Sequence, residues 1–177
     1  MKFTRTFFLL SILSLLMFGC GGDADEPTPV IDVTGKWQLD FIYTNREKVG
    51  EEPLQASINP LYGKYLTLNA DGSCSLTELG LSDASFDFLT SSSFSGSYSL
   101  DGDILEIQVD NAGNTQYEIF KVKAVNAEEL KLDQDKSLIL TGLEKNKVWL
   151  SDEAYNDSFQ FIDQYQEYDV EVEFLKE

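Results

Sequence analysis

Cys20, Cys74 and 31 acidic side chains are the groups in this 177-residue chain whose types could do chemistry. A nucleophilic thiol needs a neighbour that lowers its pKa, most often histidine. The chain has no His, which removes Ser-His-Asp and Cys-His catalysis and every His-ligated metal site. Two Cys residues build neither a disulfide framework nor a four-Cys zinc site. Paired carboxylates hydrolyse glycosides only where they face each other across about 5–9.5 Å, and adjacency in sequence does not establish that. Asp101-Asp103, Asp110-Asn111 and Asp133-Asp135 cluster at expected turns, where they either bind calcium weakly or, on the plainer reading, are solvated turn residues. A calcium loop, with its Gly and closing Glu, is absent, as are Gly-x-Gly-x-x-Gly and a phosphate loop ending in Gly-Lys-Ser/Thr. These exclusions point away from an enzyme, and nothing calls for a cofactor or a metal.

Charge narrows the partners. With 13 Lys+Arg against the 31 acids the formal charge is −18, and nucleic-acid binding needs clustered Lys and Arg that this chain lacks. A hydrophobic content of 42% is enough for a packed core. The length suits one domain with a real core rather than two.

The first nineteen residues read as an address. Lys2 and Arg5 precede Phe7–Phe18, an apolar run of 12 residues, and then come Gly19 and Cys20. A secretory apolar region is about 7–15 residues, whereas a spanning helix needs about 20. The Met17-Phe18-Gly19-Cys20 ending resembles a bacterial lipoprotein signal, in which a small residue precedes a Cys that becomes the acylated N-terminus. That resemblance implies cleavage before Cys20 and a lipid anchor there. Cleavage would leave 11 basic against 31 acidic residues, a net charge of −20. Residues 20–33 then form a tether rich in Gly, Pro and Asp. Asp23, Asp25 and Glu26 lie soon after the Cys. In the Gram-negative lipoproteins that this segment resembles, such acids direct export to the outer cell surface; a solvated linker is the plainer reading.

From Thr34 onward the dominant period is two. Trp37, Leu39, Phe41 and Tyr43 alternate with Lys36, Gln38 and Asp40, the pattern of a half-buried strand. Leu66 and Leu68 lead through Asp71-Gly72 to Cys74 and Leu76. Phe94, Tyr98 and Leu100 lead through Asp101-Gly102 to Leu105, Ile107 and Val109. Asp-Gly between alternating runs is a strong hairpin signal, since both residues tolerate positive φ. After a turn at 111–114, residues 116–125 read as a strand with a bulge between Ile119 and Phe120, where the apolar parity switches. Leu130 and Leu132, Leu138–Leu140, Val148–Leu150 and Val170, Val172 and Phe174 complete the expected strands. Residues 45–64 read as a long loop, 80–93 as a loop or helix, and 151–167 as a short helix or strand across an open barrel end. About nine or ten short strands joined by close turns predict an all-β protein, an antiparallel up-and-down barrel of about eight or more strands over residues 34–177.

Gly35-Lys36-Trp37 opening the first strand, YLTLNADGSCSL, GSYSLDGDILEIQV and YEIFKVKAV with ELKLD together resemble the lipocalin-like domain of Gram-negative outer-membrane lipoproteins. The resemblance covers about residues 34–143. It implies a meandering antiparallel barrel with Trp37 plugging one end. Lipocalins pack an Arg from a late strand on that Trp; here no Arg follows Arg46, and the Thr-Asp-Tyr triplet of the second lipocalin signature is absent.

The candidate ligand-binding residues are Trp37, Phe41, Tyr43, Trp149 and Tyr155. Trp37 is either a cavity floor or plain core packing. Trp149 has opposite parity to Val148 and Leu150, so it faces solvent or a groove. The aromatic cluster at 155–168 around it forms either a surface for a glycan or partner or a lid on the barrel. Cys74 shares parity with Leu76 and reads as an inert buried thiol. The family likeness implies a membrane-anchored binder of a small hydrophobic ligand or glycan. The alternative is an accessory subunit of a cell-surface assembly that uses the barrel exterior. Cys20→Ala is expected to abolish labelling by palmitate and release the protein into soluble fractions; label that persists on the variant would refute the anchor.

Overall fold

The structure is a computed structural model that describes residues 31–58, 64–77, 94–111 and 113–177. The signal segment, Cys20, the tether up to Val30 and the segment 80–93 lie outside the described residues. The described strands are β1 (Gly35–Glu47), β2 (Leu54–Ile58), β3 (Tyr65–Leu68), β4 (Ser73–Thr77), β5 (Phe94–Asp101), β6 (Ile104–Asn111), β7 (Asn114–Val125), β8 (Glu129–Gln134) and β9 (Glu167–Lys176). Between β8 and β9 stand helices α1 (Lys136–Asn146) and α2 (Asp152–Asp163). From β3 to β9 each strand pairs antiparallel with the next, and β1 pairs with both β3 and β9. The eight strands β1 and β3–β9 therefore close an up-and-down barrel, with β2 added to the outer half of β1.

The turns form as their chemistry dictates. Gly72, Gly102 and Gly113 all have positive φ. Asp71 Oδ1 accepts from Ser73 N at 2.9 Å, and Asp110 Oδ1 accepts from Gly113 N at 2.8 Å. Gly96 answers a different need: a Cβ there would fall 1.8 Å from the carbonyl oxygen of Gln108, so β5 approaches β6 only with Gly at this point.

β1 carries one extra residue. Leu39 opposes Phe174, yet Phe41 opposes the next residue, Glu173, so Asp40 is a bulge. Trp37 and Leu39 face inward before it, and Ile42 and Thr44 are buried after it. Phe41 and Tyr43, expected beside Trp37, therefore lie on the opposite, outer face and are half-buried. A period of two does not survive an inserted residue, and the apolar runs on both faces conceal the change.

Other expectations also change. Residues 45–64 are not one loop, because β1 runs to Glu47 and β2 follows. Leu138–Leu140 belong to α1, and Val148–Leu150 to the link between the helices. A short apolar triplet does not tell strand from helix. Asp135 decides the matter locally: its side chain accepts from Leu138 N at 2.9 Å and caps α1. Ser151 caps α2 in the same way. The segment 151–167 is thus mainly helical. In β7 the register breaks between Val122 and Ala124 rather than at Ile119 and Phe120. Phe120 faces inward, while Ile119 faces outward and is also buried.

Only Lys121–Val125 of β7 pair with β8, which leaves the edge of its first half without a strand neighbour. Side-chain amides take that place. Asn146, in the last turn of α1, accepts from Tyr117 N at 2.7 Å and donates to its carbonyl at 2.9 Å. Gln134 donates to the carbonyl of Ile119 at 2.8 Å. A buried edge without such partners would forfeit hydrogen bonds worth about 0.5–1.5 kcal/mol each.

At one end of the barrel Trp37 is fully buried, with Leu66, Leu68, Leu130 and Phe174 in the same apolar cluster. Its Nε1 donates to the carbonyl of Val33 at 2.9 Å. Lys176 Nζ lies 4.4 Å from the Trp37 ring centroid and donates to the carbonyl of Thr34 at 3.0 Å. The cation over the Trp, for which no late Arg exists, is supplied by this lysine of the last strand. Trp37→Ala is expected to cost about 3–5 kcal/mol in urea unfolding. Trp149→Ala, at a half-buried position, should cost less. A loss below about 1 kcal/mol for Trp37→Ala would remove it from the core.

Candidate functional site

The inward face changes character along the barrel. Residues opposite one another in an antiparallel pair share a face. Gln116 opposes Val109 and Glu118 opposes Ile107, both of which are buried in the core, so Gln116 and Glu118 point inward. Gln134 and Thr44 both oppose the buried Val170, and Arg46 opposes the buried Tyr168. The half of the barrel near Trp37 is therefore apolar, and the half near the helices carries a polar layer.

Gln134 is 2% exposed. Its Nε2 serves two acceptors, the carbonyl of Ile119 at 2.8 Å and Glu118 Oε2 at 3.3 Å. Its Oε1 has no partner in the protein. Glu118 is half-buried and also receives a hydrogen bond from Gln116. Burial pushes its carboxyl up to about 7, against the lowering by the two amides. Arg46 lies toward the same end, its guanidinium 5.0 Å from the Tyr168 ring and 5.5 Å from that of Phe161. Phe161, Tyr165 and Tyr168 meet edge to face at 5.5–6.3 Å, so the end of α2 packs on the start of β9 beside this layer.

The structure does not bring the five sequence-derived candidates together. Trp37 lies in the sealed base. Tyr43 lines an outer groove of about 450 Å³ with Asn45, Gln55, Lys123, Asp133, Asp135, Asp169 and Glu171, and Phe41 shares that outer face. Burial, with Asp133, Glu167 and Asp135 nearby, raises the Asp169 carboxyl. Among the described residues no group of three or more His, Cys, Asp or Glu is placed to hold a metal. Trp149 sits half-buried in the link between the helices, where Val148 is 90% exposed. Tyr155 ties the helices together, its hydroxyl donating to Glu144 and its ring stacking on Phe159 at 6.2 Å. Cys74 is buried, and burial raises its thiol to about 11, which leaves it protonated and unreactive.

Gln116, Glu118, Gln134 and Arg46 were not singled out from sequence. A signal for two of them existed. Phe120 and Val122 share one parity, and counting back from them places Gln116 and Glu118 on the inner face; the assumed bulge at 119–120 hid this. Gln134 and Arg46 carried no such mark, because each sits where its strand ends.

Glu118 gives a pH dependence with a definite sign. Its folded-state carboxyl is raised from 4.5 to about 7, so ionising it penalises the folded state. The penalty is absent below the unfolded value, grows as pH rises and is complete above about 7. Glu118→Gln should therefore stabilise the protein over wild type by an amount that increases between about pH 5 and about pH 8. Urea midpoints of both proteins at the two pH values measure this; a gap that does not change with pH would place the carboxylate in open water.

One solved structure, of an uncharacterized protein from Bacteroides eggerthii DSM 20697, is similar at 15% identity and a TM-score of 0.41, covering 82% of this chain and 100% of that one. Another, of a lipocalin-like protein from Bacteroides uniformis ATCC 8492, is similar at 21% identity and a TM-score of 0.37, covering 58% of this chain and 89% of that one. No curated protein matches the sequence. The family model described as a lipocalin-like domain matches residues 33–132, more than half of the chain and all of β1 to β7. With its closed eight-strand barrel and its Trp-plugged base, the chain belongs to the lipocalin-like domain family.

Proposed function

We propose that this protein is a non-enzymatic, lipid-anchored binding protein that holds a small amphiphilic ligand in the helix-side half of its barrel. Lipocalin-like barrels suggest a ligand-binding role, and eight strands enclose just enough room for side chains or one small ligand. The observation that carries the reading is the inner face itself. It runs from a sealed apolar base at Trp37 to a polar layer at Gln116, Glu118 and Gln134, where Glu118 keeps accessible surface. Apolar walls with a few convergent polar groups are the usual make-up of a ligand site.

The anchor and address follow from the N-terminus. Acylated Cys20 would hold the protein in the outer membrane, since several acyl chains together anchor where one does not. The acids at 23–26 favour the external face.

One observation favours a second reading, a subunit of a surface assembly. Val148 is 90% and Phe159 39% exposed on the helical pair, and exposed apolar side chains are candidate contacts for another protein. Native mass spectrometry of the protein purified from its own host separates the two. A retained small molecule at one per chain is the expected result. A ligand-free chain bound to a stoichiometric protein partner would overturn the first reading in favour of the second.

A further inference from the structure

We propose that the polar layer of the barrel interior is a seat for a hydrogen-bond donor, and that the ligand it takes carries a protonated amine at its polar end. This rests on the binding reading above and specifies the chemistry of the ligand.

The hydrogen-bonding capacity left in the layer decides the class. Gln134 is nine-tenths buried and more, and both of its named donations are committed, to Ile119 and to Glu118. The assignment of its amide is fixed by the Ile119 carbonyl, which needs a donor, so the unpartnered atom is the acceptor Oε1. Beside it, Glu118 points inward from β7 opposite Ile107. A carboxylate is acceptor-only when ionised, as Glu118 is above about pH 7. Above that pH the free capacity of the pair is accepting, and a carbonyl or carboxylate arriving here would meet acceptors.

Charge points the same way. Burial raises the Glu118 carboxyl and the Gln134 and Gln116 amides lower it, with no cation among these causes. Arg46 is held instead over Tyr168 and Phe161. Among the described residues no cation contributes to the level of Glu118, and an ammonium group that enters supplies a counter-ion, with charge-assisted hydrogen bonds to Glu118 and a further one to Gln134 Oε1.

The test uses the full chain in lipid nanodiscs, titrated calorimetrically with hexylamine, hexanol and hexanoate, with empty nanodiscs as the blank. These probes share one tail and differ in the head. Hexylamine should bind about tenfold or more tighter than hexanoate, and Glu118→Gln should remove that preference, as expected for one charge-assisted bond. Gln134→Met, which removes the orphan acceptor, should weaken hexylamine and hexanol and leave hexanoate unchanged. Glu171→Gln, an equal charge change on the outer face, should leave the preference intact and so excludes attraction by the net negative charge. Equal binding of the three heads, unaffected by Glu118→Gln, would overturn the donor seat while leaving a ligand-binding barrel. Binding of none would show a layer satisfied by water alone and would overturn both.

Discussion

Closure of the barrel depends on β1, which holds three neighbours by dividing its length. Its first residues pair with β3 and its later ones with β2, while its other edge pairs with β9 from Trp37 to Glu47. A strand in a flat sheet has two neighbours. β1 gains a third because the bulge at Asp40 bends it, so that β3 departs and β2 takes over. The inner face also depends on this residue. Without it, Phe41 and Tyr43 would turn into the barrel in place of Ile42 and Thr44, and the interior would have to take up two large rings. The register between β1 and β9 thus sets the size of the interior as well as its closure.

Polarity within the barrel follows from where strands stop. β8 ends at Gln134, where Asp135 caps α1, so the chain leaves the sheet while β7 still extends beyond it. The resulting edge needs donors and acceptors, and Asn146 and Gln134 supply them. Gln134 is buried for that structural reason, and its Oε1 is left without a partner as a result. A polar layer inside a barrel is here the consequence of mending a sheet. Satisfied networks of this kind fix a structure, and a group left unpaired within them is costly.

The barrel was legible in the sequence because two Asp-Gly hairpins and a clean alternation from Phe94 to Val109 leave little freedom of register. Trp37 was legible for the same reason. The helices were not, since Leu138–Leu140 read equally well as strand, and the capping Asp135 looked like one more turn acid among many. The candidate site was legible only in part. Its acid lies in a strand whose parity changes in sequence without a change in backbone: Ile119 is buried on the outer face and Phe120 on the inner. Periodicity reports which residues are apolar, and it reports the barrel's inside only where the outside is wet. Around β7 and β1 the outside is covered in part by a helix or an added strand, and there the sequence pattern loses its meaning.

The pairing of Trp37 with Lys176 joins the first and the last of the described strands. A chain emerging from its N-terminus presents β1 long before β9 exists, and until β9 appears the sheet is open, with the facing edges of β1 and β8 exposed. Contacts so distant in sequence delay folding, because the entropy of closing the loop is lost before the contact forms. The same last strand brings the cation that covers Trp37, so the base is sealed in the step that closes the wall. Completion of this barrel is therefore a single late event controlled by β9, and until that event its unpaired edges are what the cell's holding and sorting machinery would meet.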